Sequence, residues 1–336
     1  RRQQISVMPE GLSRQLSPQQ VADLIRFTLD AGKSPGSLKQ TNPPKPATLE
    51  PQTHHEGKVR DGSASGEQNS ATQNQRLAST SAINIENDGT SLKIRSGDKE
   101  IATYFYRHNK VLRPFFAHVK APSGTQVTRN FPPGPEDRQD HPNMHPGLWM
   151  AFGDISGEDF WRNKGRVVHE RLTINATGND GRGSFSQRKS YQRADGSIVC
   201  SEHFQCRIHI LKEGYLLLWD STFSAPTGGG FYFGDQEEMG LGIRVAHGIT
   251  EMNNGQITDS EGRQGAANIW SQPSAWCDYS GRLGEEPLGI TVLCHPENFR
   301  ESWMHARNYG LIAANPFGRK AMNKGATSRI VVKDGQ

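Results

Sequence analysis

The chain has 336 residues, 39 Lys and Arg against 35 Asp and Glu, a formal net charge of +4, and 33% hydrophobic residues. Its basic residues are scattered rather than gathered in a stripe, so no nucleic-acid partner is expected. No run of about 18 apolar residues offers a membrane-spanning helix. The low apolar fraction, with a mean hydropathy of −0.71, implies that part of the chain is unfolded, while 36 glycines and 19 prolines point to the many turns of an all-β fold. Cys200, Cys206, Cys277 and Cys294 form no Cys-x-x-Cys pair and no haem-attachment motif, so they leave the redox compartment open. A start at Arg1 without a signal-like apolar segment suggests a processed chain or a piece of a longer one.

Residues 1–29 carry a helix start. Ser17 can cap a helix, Pro18 suits its first position and Gln20 can close the capping box. Val21, Leu24, Ile25 and Thr28 then share one helical face, on a helix too short to be stable alone in water. The stretches SVMPEGL and LSPQQVADLIRF resemble the C-terminal end of the c-type haem-binding domains of planctomycete proteins. That resemblance makes Met8 a candidate axial ligand for a haem c held by an upstream domain, since a thioether opposite a histidine raises the haem potential. It also implies a periplasmic or cell-surface setting. Residues 30–85, with NPPKPATLEP and a long polar tract, read as a disordered linker, in which His54 and His55 are solvated rather than metal ligands.

Residues 86–334 read as the folded domain. Turn signals such as Asn87-Asp88-Gly89, Asp195-Gly196 and Asn254-Gly255 separate segments of strand length. In 197–211, Cys200, Phe204, Cys206, Ile208 and Ile210 alternate onto one face, and Ser201, His203, Gln205, Arg207 and His209 onto the other. The segment 215–223 is its expected hairpin partner. No βαβ rhythm and no Gly-x-Gly-x-x-Gly fingerprint appears. The expected architecture is a large, many-stranded β-sandwich.

Three stretches carry candidate chemistry. In HPNMHPGLWMAFGDISGEDFW (141–161), the prolines argue against a helix, so His141 and His145 sit on a loop. They are half a metal site, which would need a third ligand from His247, His295, His305 or a carboxylate. A sugar cleft needs aromatic faces and polar groups. Trp149, Trp161, Trp270, Trp276 and Trp303 could give the first, with Asp154, Asp159 and Arg162 close by, though a tryptophan is also good core filler. In FGDQEEMGLGIRV (233–245), Glu238 is a candidate base beside Arg244; Glu237 and Glu238 on a strand point to opposite faces, so at most one is expected in a cleft. The stretch 294–320 concentrates His305, Arg307, Asn308 and Asn315.

Those stretches, with AWCDYSG and WMHARNYGLIAANPFG, resemble the bacterial PmoA-type family. The resemblance implies a galactose-mutarotase-like supersandwich and an association with carbohydrate processing. It marks His141, His145, Glu238, Arg244, His305, Arg307 and Asn308 as cleft residues, to which the residue patterns add Trp149, Asp154 and Asn315. The leading expectation is a carbohydrate-active enzyme of epimerase, lyase or hydrolase type. In it His145 or His305 is the acid, Glu238 the base, and Arg307 stabilises negative charge. The alternatives are a non-catalytic carbohydrate-binding module serving an attached oxidoreductase, and the metal-dependent oxygenase of the family label.

Overall fold

The computed structural model describes residues 82–177, 181–211, 214–295 and 297–335. The expected helix at 17–28, the candidate haem ligand Met8 and residues 30–81 of the expected linker lie outside the described residues; the last residues of that expected linker, Ile83 to Ile85, belong instead to a strand whose alternate side chains are buried. Where it is described, the chain is an all-β sandwich. In chain order its strands are β1 (Ile83–Asn87), β2 (Ser91–Ser96), β3 (Lys99–Phe105), β4 (Phe115–Ala117), β5 (Leu148–Phe152) and β6 (Arg166–Thr177). Next come β7 (Arg182–Gln192), β8 (Ile198–Ile210), β9 (Tyr215–Ser224), β10 (Phe231–Phe233), β11 (Met239–Arg244) and β12 (Gln256–Asp259). The last are β13 (Gln272–Pro273), β14 (Trp276–Leu283), β15 (Glu286–Leu293), β16 (Trp303–Arg307), β17 (Leu311–Asn315) and β18 (Ile330–Val332). Among the described residues no helix is long and apolar enough to cross a membrane.

Nine strands form one antiparallel sheet in the order β1-β2-β3-β4-β5-β11-β17-β16-β13, and β6-β7-β8-β9 form a second. The alternation in 198–210 does what the sequence suggests. Phe204, Cys206 and Ile208 are buried, and β8 pairs with β9 with Phe204 opposite Ser221. The aromatics of the two sheets meet in the interior: Phe116 lies 5.8 Å from Trp219, Phe152 lies 5.4 Å from Phe223, and Tyr104 lies 5.0 Å from Phe185, centroid to centroid. Burial of such rings, worth about 25 cal/mol per Å², is what holds the layers together.

The central strands of the nine-stranded sheet, β5, β11 and β17, are buried on both faces, so they carry apolar residues without a polar alternation. Leu148, Met150, Phe152, Leu241, Ile243, Ile312 and Ala314 face the main core. On the opposite face, cross-strand pairing sets Phe105, Phe115, Trp149, Gly242, Ala313 and His305 in one row across six strands. Gly242 is the reason that row can hold indoles. A Cβ there would stand 2.6 Å from the Trp149 ring and 2.9 Å from that of Trp161. The glycine-rich strand therefore makes room for two tryptophans lying on the sheet, and this second layer carries the polar groups described next.

Candidate functional site

Loops from distant parts of the sequence cover the outer face of the nine-stranded sheet, and buried arginines fasten them. Arg129 donates to the carbonyls of Asp140 (2.7 Å), His141 (3.1 Å) and His145 (2.6 Å). Arg113 donates to the Trp161 carbonyl (2.9 Å), to the Asn163 side chain (2.9 Å) and to the Met144 carbonyl. Arg244, at the end of β11, pairs with Asp140 at 2.7 Å. The 138–147 loop is thus positioned by charge-assisted bonds, the strongest short-range ties a loop without secondary structure can have.

Within this frame His145 is sealed. It is fully buried, its ring stacks on Trp149 at 5.2 Å, Trp161 Nε1 donates to its Nε2 at 3.4 Å, and Arg244 Nη1 stands 3.2 Å from its Nδ1. Both neighbours are donors, so protonation would set N–H against N–H. Burial first, then Arg244, His141 and the other arginines, pushes its pKa well below that of an ordinary histidine. The ring is neutral and inaccessible, which corrects the expectation that His145 acts as a general acid. His141 is exposed beside it, with ring centroids 4.9 Å apart. The pair finds no third ligand: among the described residues no group of three or more His, Cys, Asp or Glu could hold a metal ion.

The second half of the site lies where the 234–238 loop meets β16. Glu237 and Glu238 precede β11 in a bend rather than a strand, so the alternation expected of them does not apply. Glu237 pairs with Arg307 at 3.2 Å and stands 3.7 Å from His305 Nδ1, while Glu238 pairs with Arg162, which also binds Asp159 at 3.1 Å. Burial, then the neighbouring Glu237 and Asp159, raises Glu238 above the usual carboxylate range, against the pull of Arg162 and Arg307. His305 is buried and accepts from Trp270 Nε1 at 3.3 Å. Burial, Arg307 and Arg162 push it down to about 3, so it too is neutral and is no general acid. The Arg307 guanidinium lies 5.3 Å over Trp270. Side chains of Arg162, Glu237 and Arg307 remain 35, 34 and 31% exposed, so this cluster is open to solvent.

Tyr309 joins the two halves. Arg244 lies 4.3 Å over its ring, and its phenol feels Arg307, Asp140 and Glu238. The segments 140–162, 237–244 and 303–315 therefore converge. Several individual expectations change, however. Trp149 is fully buried and cannot stack on a sugar; among the tryptophans expected to, Trp270 is the one in the cleft. Asp154 accepts from Gly157 N (2.9 Å) and crowds Gly234, where a Cβ would stand 1.8 Å from its Oδ2, so it closes a turn. Asn315 is fully buried, donates to the carbonyls of Gln236 (2.8 Å) and Glu237 (3.1 Å), and accepts from Phe317 N and Gly318 N. It holds the carboxylate loop in place and has no atom left for substrate. Asn308 is exposed at the rim of the site.

Residues 91–336 match the sequence profile of a family of unknown function, DUF6807. The chain belongs to DUF6807. No curated protein and no solved structure matches it. This corrects the PmoA-type assignment: the matched family carries no such label, and the oxygenase reading that came with it is withdrawn. The DUF6807 match begins at residue 91, so residues 1–29 and the upstream haem domain expected from them draw no support from it. It does span every residue of the cleft.

In this DUF6807 chain, Arg113, Arg129, Asp140 and Tyr309 were not marked by sequence, and Glu237 was set aside in favour of Glu238 on the expectation of strand alternation. Two signals were within reach. Gly234-Asp235 ahead of Glu237 marks a turn, which frees adjacent carboxylates from strand alternation, and Tyr309 stands inside the singled-out WMHARNYG. For Arg113 and Arg129 there was none, since each works by binding carbonyls of residues remote in sequence.

Proposed function

We propose that the chain is a carbohydrate-active protein whose proton chemistry runs through the Glu237–Glu238 cluster. The observation that carries this reading is that two adjacent carboxylates stand in one partly exposed cluster, each against its own arginine. Such a site suits a polyhydroxylated substrate. Carboxylates and guanidinium groups serve the hydroxyls, and the half-buried Trp270 and Tyr309 offer apolar surface to a sugar ring. The roles expected from sequence are redistributed. Glu238, its pKa lifted above that of an ordinary glutamate by burial and by Glu237, is the group suited to exchange a proton with a sugar carbon or hydroxyl. Arg307 and Arg162 meet the negative charge that develops on the neighbouring oxygen. His145 and His305 hold their neighbours in position.

The test is a screen of glycans and keto-sugars for binding and turnover, repeated with Glu238→Gln and Glu237→Gln. Turnover should fall by about 10²–10⁴-fold in Glu238→Gln, with an unchanged melting temperature. Full turnover in both variants refutes the assignment. Glycan binding without turnover by the unaltered protein favours a non-catalytic binding module at the same cleft.

A further inference from the structure

Beyond Tyr309 from the carboxylate cluster lies a separate cavity of about 190 Å³, walled by Arg129, Arg138, Arg244, His247, Asn253 and Tyr309. We infer that this cavity receives an oxyanion substituent of the substrate, such as the carboxylate of a uronic acid, so that the preferred ligand is an anionic glycan. The inference rests on the carbohydrate reading above and names its substrate class.

Three guanidinium groups crowd one carboxylate here: Asp140 stands 2.7 Å from Arg244, 3.3 Å from Arg138 and 3.5 Å from Arg129. Asp137 also borders the cavity, with its carboxylate engaged by Gly134 N at 2.8 Å. Three arginines against two aspartates leave one positive charge in excess. Arg129 and Arg244, each only 2% exposed in their side chains, are matched by the two aspartates and by the carbonyls that Arg129 holds, so the charge left over is that of Arg138, half-exposed in the cavity wall. An incoming oxyanion answers it. Arg138 supplies an adaptable wall: half-exposed at 51%, it lies 5.0 Å over one side of the Tyr309 system that Arg244 also covers at 4.3 Å. Planar forks of this kind match carboxylate and sulfate oxygens. The Tyr309 phenol, which walls the cavity, also feels Arg307 and Glu238, so a ligand anchored there can extend its ring toward the carboxylate cluster. Fixing one end of the sugar is what orients the other for proton transfer.

The test compares oligogalacturonate, a matched neutral galacto-oligosaccharide and a sulfated galactan by isothermal titration, using the unaltered protein and Arg138→Gln. That residue is chosen because its exposure spares the fold; Arg244→Lys is the second variant. Oligogalacturonate should bind about tenfold more tightly than the neutral glycan, the equivalent of ~1.4 kcal/mol. The preference should collapse toward unity in Arg138→Gln and weaken as salt rises. A stronger preference for the sulfated glycan, lost in the same variant, supports the oxyanion site with sulfate as its source. Equal binding of neutral and charged glycans overturns the inference while leaving the carbohydrate reading intact. Uronate binding that depends on Arg138 but shows no Glu238-dependent turnover upholds the anion site and rejects the proton chemistry. Binding of none of the three glycans rejects both.

Discussion

Between the two large sheets a lysine and a glutamate are sealed together, while on the far face of the nine-stranded sheet arginines and carboxylates meet beside an open cavity. Lys189 and Glu202 pair at 2.9 Å with almost no exposure. Glu202 also accepts from Tyr191 (2.7 Å) and Ser221 (2.6 Å), and the ammonium lies 4.7 Å over Phe204. One cation meets one anion there, and the anion's remaining lone pairs are used. On the outer face Arg162, Arg307, Glu237 and Glu238 stay partly exposed, and Arg129, Arg138 and Arg244 outnumber their aspartates. A closed, neutral network specifies packing. A network that is open and unbalanced has capacity for something else.

The largest effect should come from breaking the sealed pair. Lys189→Met leaves Glu202 buried without its cation and should cost about 3–5 kcal/mol, read by urea denaturation, with glycan binding by the folded fraction unaltered. A loss under about 1 kcal/mol would mean that the pair is not the closed unit described here.

Another buried carboxylate sharpens the comparison, because among the described residues no cation pairs with it. Asp278 in β14 accepts from Thr291 Oγ1 at 2.6 Å, and burial raises it to about 6. Its folded pKa exceeds its unfolded value, so the fold binds the proton more tightly. Stability is therefore penalised above about 6 and the penalty disappears as pH falls toward 3.8. Asp278→Asn should be more stable than the unaltered protein at pH 8, by about 1–3 kcal/mol, with the difference closing below pH 4. Thermal melts at the two pH values check it, and a gain of equal size at both would contradict the burial argument.

The smallest effect on stability is expected where the network is open. Arg162→Gln removes a half-exposed partner of Glu238 and should change stability by no more than about 1 kcal/mol. It also removes a charge that lowers Glu238, so the Glu238-dependent limb of the pH–activity profile should move to higher pH. A profile that stays in place would separate Glu238 from the chemistry.

Alternation alone made much of the fold legible. The 198–210 strand and its hairpin partner could be read because each is paired to a neighbour near in sequence and faces a core on one side. The middle of the nine-stranded sheet was less legible. Strands such as β5 and β11 are buried on both faces, so their residues show no period of two, and their pairing joins residues about 90 apart. The site was legible in its segments and not in its roles. HPNMHP, DQEEMG and WMHARNYG were each marked, yet Trp149 and Glu238 were given the wrong surroundings. Burial of an indole beneath another, or the escape of two adjacent carboxylates from strand geometry, depends on what lies across the sheet.

By itself the sequence determined the all-β class and the short-range hairpins, because side-chain alternation and turn residues act within a few positions. It also determined which side chains were available for chemistry. Only the tertiary structure decided which of them face an accessible cleft. Cross-strand register put His305 and Trp149 in one row and buried them both, and Gly242 gave Trp149 and Trp161 their space. The ionisation of His145 and His305, and the elevation of Glu238, follow from desolvation and from charges contributed by other segments. A linear sequence does not contain those distances.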